Sequence, residues 1–170
     1  RPESVGQKVI IEMWEQFLKP KIVWNPTLKR AIICDLDGTL ALGNGRHPYD
    51  ASTCEADEVN LPVATAVRLY FKAGYYVLFV SGREEIYKQQ TLNWLLKHFS
   101  DMRNYLPGTL LMRKAGDYRK DSIIKKEIYD AHIKNKFNIH AVFDDRLSVS
   151  RLWVELGLPL FRVGHPDYDF

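Results

Sequence analysis

From position 30 onward the chain alternates short, almost unbroken apolar runs with longer stretches of helical spacing. The runs at 31–34, 75–80, 109–112, 139–143 and 160–163 predict five strands. Between them fall a helix bounded by Asn60, Pro62 and Gly74 and a second over about 85–99. A polar third follows over about 120–134, and a fourth, carrying Leu152, Trp153 and Leu156, ends near Gly157. A sheet covered on one face would alternate apolar with polar. Continuous apolar strands separated by helices therefore predict an α/β fold, a doubly wound, mainly parallel sheet flanked by helices. Ahead of this domain Val5, Val9, Ile10, Met13 and Phe17 recur at helical spacing as far as Pro20, and 19–29 reads as a connector. The expected division is 1–29 for helix and connector and 30–170 for the main domain.

Composition mainly excludes. The 170 residues are 46% apolar and 26% charged, which rules out collagen-like, low-complexity and wholly disordered classes. The apolar run 75–80 falls far short of the roughly 20 residues that cross a bilayer. Cys34 and Cys54 have no metal-ligand spacing and are too few for a disulfide scaffold, which fits a reducing cytoplasm. No signal peptide is recognisable and the first residue is Arg, so a fragment of a longer protein is expected. The net charge of +3 does not by itself indicate a nucleic-acid partner, but residues 113–136 hold eight basic against four acidic side chains.

The polar residues that close the strands carry the chemistry. The first four runs end in Asp35-Leu36-Asp37, Ser81-Gly82-Arg83, Arg113-Lys114 and Asp144-Asp145-Arg146. In an open parallel sheet these ends share the edge where ligands bind. Four carboxylates in one cleft, Asp35, Asp37, Asp144 and Asp145, require a cation or shifted pKa values. An all-oxygen donor set that shares its ion with a phosphate suits Mg2+.

These residues resemble the haloacid dehalogenase-like phosphotransferases. Asp35-Leu36-Asp37-Gly38-Thr39 matches the first signature, Ser81 the second, Lys125 (four residues after Asp121) the third and Asp144-Asp145 the fourth. A closer resemblance, over about 31–170, is to the 3′-phosphatase domain of bacteriophage polynucleotide kinases. It rests on Asn44-Gly45-Arg46, Pro48-Tyr49-Asp50, Val80-Ser81-Gly82-Arg83, Met112-Arg113, the run from Gly116 through Asp121, Phe143-Asp144-Asp145-Arg146 and the closing Asp169-Phe170. No P-loop is present, so a kinase reaction is not expected of this chain, and the first helix would be the tail of a linked kinase domain or a linker.

The resemblance implies a polynucleotide 3′-phosphatase of end healing in DNA or RNA repair, one that also opens 2′,3′-cyclic phosphates. Asp35 would be the nucleophile that forms an aspartyl-phosphate, and Asp37 the general acid and base. Mg2+ would be held by Asp35, the Asp37 carbonyl and Asp145, with Asp144 as ligand or support. Thr39, Ser81, Gly82 and Lys125 would cradle the phosphoryl group, Arg46, Arg83 and Arg113 would contact phosphate, and Asp121 would orient Lys125 or an arginine. About 44 residues separate the first two signatures, too few for a large cap, and an open site suits a polymer end. Independently of the resemblance, an enzyme that recognises a strand end needs no sequence-specific reading of the bases, so phosphate contacts and stacking on Tyr49 or Tyr118 would suffice.

Plainer readings stand beside these. Glu55, Asp57 and Glu58, with Asp50, read as a solvated acidic loop, and Lys120 and Lys126 as solvent-facing. Trp14, Trp94 and Trp153 read as core, Trp24 as connector packing and Cys34 as a small buried hydrophobe. The rival functions are a metabolite or nucleotide phosphatase on the same scaffold and a non-enzymatic nucleic-acid-binding module.

Overall fold

A computed structural model describes residues 4, 6–9, 24–47 and 49–164. In it β1 (Lys29–Cys34), β4 (Tyr76–Glu84), β5 (Leu110–Arg113), β6 (Phe137–Asp144) and β7 (Leu160–Arg162) form one sheet in the order β5-β4-β1-β6-β7. Every neighbouring pair in it is parallel. The expected doubly wound fold is therefore observed.

Central β1 shows why its apolar run does not alternate. Ile32 and Cys34 point into a core completed by Val63, Ala64 and Val67 of α1 (Leu61–Lys72) and by Trp94 and Leu95 of α2 (Lys88–His98). Ala31 and Ile33 point the other way, against Ile124 and Ile128 of α4 (Asp121–Ile128) and Val149, Leu152 and Trp153 of α5 (Leu147–Glu155). Each fully buried Ile or Leu contributes about 1.5–3 kcal/mol, so both faces of β1 anchor the sheet. Just past the end of α1 at Lys72, Gly74 has a φ of +83°, the left-handed stop that glycine adopts at least cost.

The departures from expectation lie at the ends of elements. β4 does not stop with its apolar run at Val80 but continues through Ser81, Gly82 and Arg83, and its pairing with β5 slips between Ser81 and Glu84. Such a bulge bends a strand and re-aims its side chains. The stretch expected as a helix from 85 opens with a 3-10 turn, Glu85–Tyr87, and α4 passes into the π-helical Tyr129–Ile133. A small antiparallel pair, β2 (Ala41–Leu42) and β3 (Glu58–Val59), and a four-residue α3 (Leu106–Thr109) are too short to leave a periodic signal.

Of the expected first helix, residues 6–9 are helical, while Val5, Ile10, Met13, Trp14, Phe17 and Pro20 lie outside the described residues, as do Pro48 and the closing Asp169-Phe170. No helix among the described residues is long and apolar enough to cross a membrane.

Candidate active site

The carboxyl edge of the sheet gathers the signature residues, and the turn after β1 sets their aim. The carbonyl of Leu36 accepts the amides of Thr39, Leu40 and Ala41 at 3.2, 2.9 and 2.8 Å, curling the chain sharply behind Asp35 and Asp37. Gly38 has φ +79°, and a Cβ there would overlap the Asp145 carboxylate. The glycine thus meets two demands at once, a left-handed backbone and the close approach of a carboxyl group.

Lys125 is the hub of the inner site. Only 1% exposed, its Nζ stands 2.9 Å from Asp35 Oδ2 and 2.9 Å from Asp144 Oδ2. Burial opposes its charge, but Asp144 and Asp35 outweigh that and hold its pKa above the ordinary lysine value. Asp144 also accepts the Trp153 indole N–H at 3.1 Å and the Arg146 amide at 3.2 Å, so both of its oxygens are engaged. Burial raises the Asp35 carboxyl well above its ordinary pKa, with Lys125 pulling it down and Asp144 and Asp145 pushing it up. Asp145 is raised as well, by burial and by Asp144, against the Thr39 hydroxyl that donates to it at 2.8 Å. Oxygens of Asp35, Asp144 and Asp145 lie within 4.8 Å of one another. Three carboxylates facing one lysine leave excess negative charge, and an all-oxygen set of that size fits a hard divalent ion.

The outer site is an interlocked ion-pair quartet. Arg83 Nε and Nη2 each reach Asp37 at 2.8 Å, and Nη2 also reaches Asp57 at 2.9 Å. Arg46 bonds Asp57 through Nε and Nη2 at 2.9 Å each and forms a short ion pair with Asp37 through Nη2. Its Nη1 donates to the Asp50 carbonyl at 3.2 Å. Burial alone would raise the Asp37 carboxyl; bonding and charge from Arg83 and then Arg46 outweigh it and hold the pKa below the ordinary value.

A third cluster sits beyond the β4 bulge. Asp121 accepts Arg146 Nη1 at 2.8 Å and makes a short bond to Arg113 Nη2. Arg113 further donates to the carbonyls of Gly82, Asp117 and Arg119 at 2.7, 2.7 and 2.6 Å. A Cβ on Gly82 would lie 2.5 Å from Asp121 Oδ1, so the bulge glycine lets this carboxylate close over the strand. A cleft of about 470 Å³ opens here, with Arg83, Asp121 and Arg146 in its wall.

Several expected placements change in detail. The Thr39 hydroxyl is given to Asp145, and Ser81 Oγ accepts the Arg83 amide at 3.2 Å. Arg113 spends most of its donors on backbone carbonyls, which makes it a clamp on the 117–121 loop. Asp121 orients two arginines, Arg113 and Arg146, while Lys125 takes its ion pairs from Asp35 and Asp144. The acidic loop is not solvated throughout: Asp57 is 4% exposed, with Arg46 and Arg83 on its two oxygens. Trp153 is core as expected, yet its indole N–H also fixes Asp144. Arg146 was legible only as part of the Asp-Asp-Arg cluster, and nothing in the local sequence marks Asp57 as a buried counter-ion.

Residues 29–168 match the family described as the polynucleotide kinase PNKP phosphatase domain. A protein of Autographa californica nuclear polyhedrosis virus, named as a bifunctional polynucleotide kinase/RNA ligase, is 41% identical over 144 residues, 83% of this chain and 20% of its own length. A solved Pnkp1/Rnl/Hen1 complex superposes with a TM-score of 0.78 at 40% identity, over 89% of this chain and 52% of that one. The class C acid phosphatase of Bacillus anthracis, at 17% identity and a TM-score of 0.56 over 85% of this chain and 70% of its own, shares the fold alone. This chain thus spans 20% of the viral relative and 52% of the solved chain. On a haloacid dehalogenase-like α/β fold, with Asp35, Lys125 and Asp144 joined at its carboxyl edge, the chain belongs to the polynucleotide kinase phosphatase-domain family and is a phosphoric monoester hydrolase.

Proposed function

We propose that the domain is a Mg2+-dependent polynucleotide 3′-phosphatase that heals RNA or DNA ends by leaving a 3′-hydroxyl. The observation that carries this reading is the contact between the buried Lys125 and Asp35, with Asp37 two residues away in the grip of two arginines. An anionic phosphate needs such cationic groups, and a nucleophilic carboxylate needs a fixed position.

In the proposed reaction an Asp35 oxygen attacks phosphorus and the bond to the 3′-oxygen breaks, giving an aspartyl-phosphate. Asp37 supplies the proton to the departing oxygen. It then takes a proton from the water that cleaves the aspartyl-phosphate and releases inorganic phosphate. In the free protein Asp37 is ion-paired, so its protonated form requires Arg46 and Arg83 to turn toward the incoming phosphate. Lys125 steadies Asp35 and offers its charge to the phosphoryl oxygens. Asp35, the Asp37 carbonyl and Asp145 would hold Mg2+, with Asp144, already bonded to Lys125 and Trp153, as the support behind them. Bound there, the ion would neutralise charge on the transferring group.

Support for a polynucleotide substrate comes from the family match and the wide cleft beside Arg83. The viral relative's name adds a linked kinase and an RNA ligase, and a second solved structure is named as a Pnkp1/Rnl/Hen1 RNA repair complex. On that ground we place this domain beside a kinase in the cytoplasm, where the buried thiols Cys34 and Cys54 stay reduced. Rapid quenching during turnover of a 3′-phosphorylated oligonucleotide tests the chemistry. The peptide containing Asp35 should carry a phosphoryl group, and turnover without any such adduct would refute the assignment. A 2′,3′-cyclic phosphate end in the same experiment reads the wider activity.

A further inference from the structure

We infer that the cleft beyond Arg83 is a stacking platform for an unpaired 3′ end, so that single strands of at least two nucleotides are the preferred substrates. The inference rests on the polynucleotide reading above and deepens it. The observation is a pair of aromatic side chains that the fold leaves uncovered. Tyr49 and Tyr118 both line the cleft and are 79% and 86% exposed. Among the described residues the Tyr118 side chain makes no hydrogen bond or ring contact, and the Tyr49 ring meets only His47, with centroids 5.8 Å apart. Large aromatic rings left in water at the mouth of a cleft gain most by covering an apolar, flat partner.

Charge in the same wall selects what that partner is attached to. Arg119 is committed to Asp117 and Glu127, and Arg113 and Arg146 to Asp121. Lys120, which also lines the cleft, has no ion pair among the described residues and is exposed. Two free ring faces and one uncommitted cation in one cleft match a flat base followed by a phosphodiester, the repeating unit of a nucleic-acid strand. Bases inside a duplex already have both faces covered by their neighbours, so the platform accepts only an end that has left the stack. Every base has a π-face, so the preference is for strandedness rather than for sequence.

The test separates this platform from the chemistry. In an Asp35→Asn background, which blocks turnover, fluorescence anisotropy reads binding of a labelled single-stranded 3′-phosphorylated pentanucleotide and of the same end paired flush in a duplex. The single strand should bind about tenfold tighter, and the double variant Tyr49→Ala/Tyr118→Ala should remove that advantage while Tyr49→Phe/Tyr118→Phe keeps it. Lys120→Ala should weaken pentanucleotide binding and flatten its salt dependence. In the active enzyme the ratio of KM for a base-free sugar phosphate to KM for the pentanucleotide should fall about tenfold in the alanine pair. Equal affinity for both strands, or an unchanged ratio in the alanine pair, overturns the platform. An enzyme that releases no phosphate from any 3′ end overturns the parent reading instead.

Discussion

Arg83 lays two of its nitrogens on the Asp37 carboxylate, each at 2.8 Å, and the same guanidinium reaches back to Asp57 at 2.9 Å. On the proposed mechanism, the side chain that steadies the carboxyl group in the resting protein is also the one that turns to meet the substrate phosphate. Only a planar fork can hold both neighbours in that geometry. Arg83→Lys should lower kcat/KM by about a hundredfold. Steady-state kinetics on a 3′-phosphorylated oligonucleotide decides it, and near-normal rates would reduce Arg83 to a structural ion pair.

Asp57 closes the quartet from inside. Its side chain is 1% exposed and compensates Arg46 and Arg83, which are 9% and 2% exposed. Asp57→Asn should cost roughly 3 kcal/mol, because two buried guanidinium groups would then share Asp37 alone. Urea denaturation measures the loss, and a cost below about 0.5 kcal/mol, the range of ordinary surface substitutions, would contradict the pairing.

At Gly82 the demand is one of space. A methyl group there would press within 2.5 Å of Asp121 Oδ1 and push that carboxylate off Arg113 and Arg146. Gly82→Ala should impair kcat/KM at least tenfold, with a stability loss of only about 1 kcal/mol. Kinetics and thermal melting on one preparation would show whether the two effects separate as expected.

Carboxylate crowding predicts a linkage between metal and stability. Burial, reinforced by Asp144, raises the folded-state pKa of Asp35 and Asp145. A carboxyl whose folded pKa exceeds its unfolded one loses stability as pH rises from the unfolded value through the folded one. The metal-free protein should therefore carry that penalty at neutral pH, and a cation should relieve it. Mg2+ at ten times its Kd should add about 1.4 kcal/mol at pH 7, and Asp145→Asn should lose most of the gain. Thermal melts with and without Mg2+ provide the check, and an equal gain in both proteins would remove Asp145 from the metal site.

Much of this architecture is legible along the chain because it rests on local patterns. The strands announce themselves through continuous apolar runs, and Asp35, Asp37, Asp144 and Asp145 through their positions just after two of those runs. Lys125 needed the resemblance, since a lysine four residues after an aspartate on a helix is ordinary without it. What stayed hidden depends on partners distant in sequence. Asp57 looks like one more acid in a polar loop until the fold brings Arg83, 26 positions away, onto it. The Trp153 contact with Asp144 is hidden differently, because an apolar helix position says nothing about where an indole N–H points. Thr39 shows a local motif whose hydroxyl serves a carboxylate 106 positions away. The continuation of β4 past Val80 was masked by polar residues that a bulge accommodates.

Phosphate release from a 3′-phosphorylated oligonucleotide in Mg2+ tests the central claim most directly, beside the 5′-phosphorylated isomer, a sugar phosphate and the Asp35→Asn protein. The account predicts release from the 3′ end in preference to the other two and its loss in Asp35→Asn. Preference for the sugar phosphate, or turnover that survives the substitution, would contradict it.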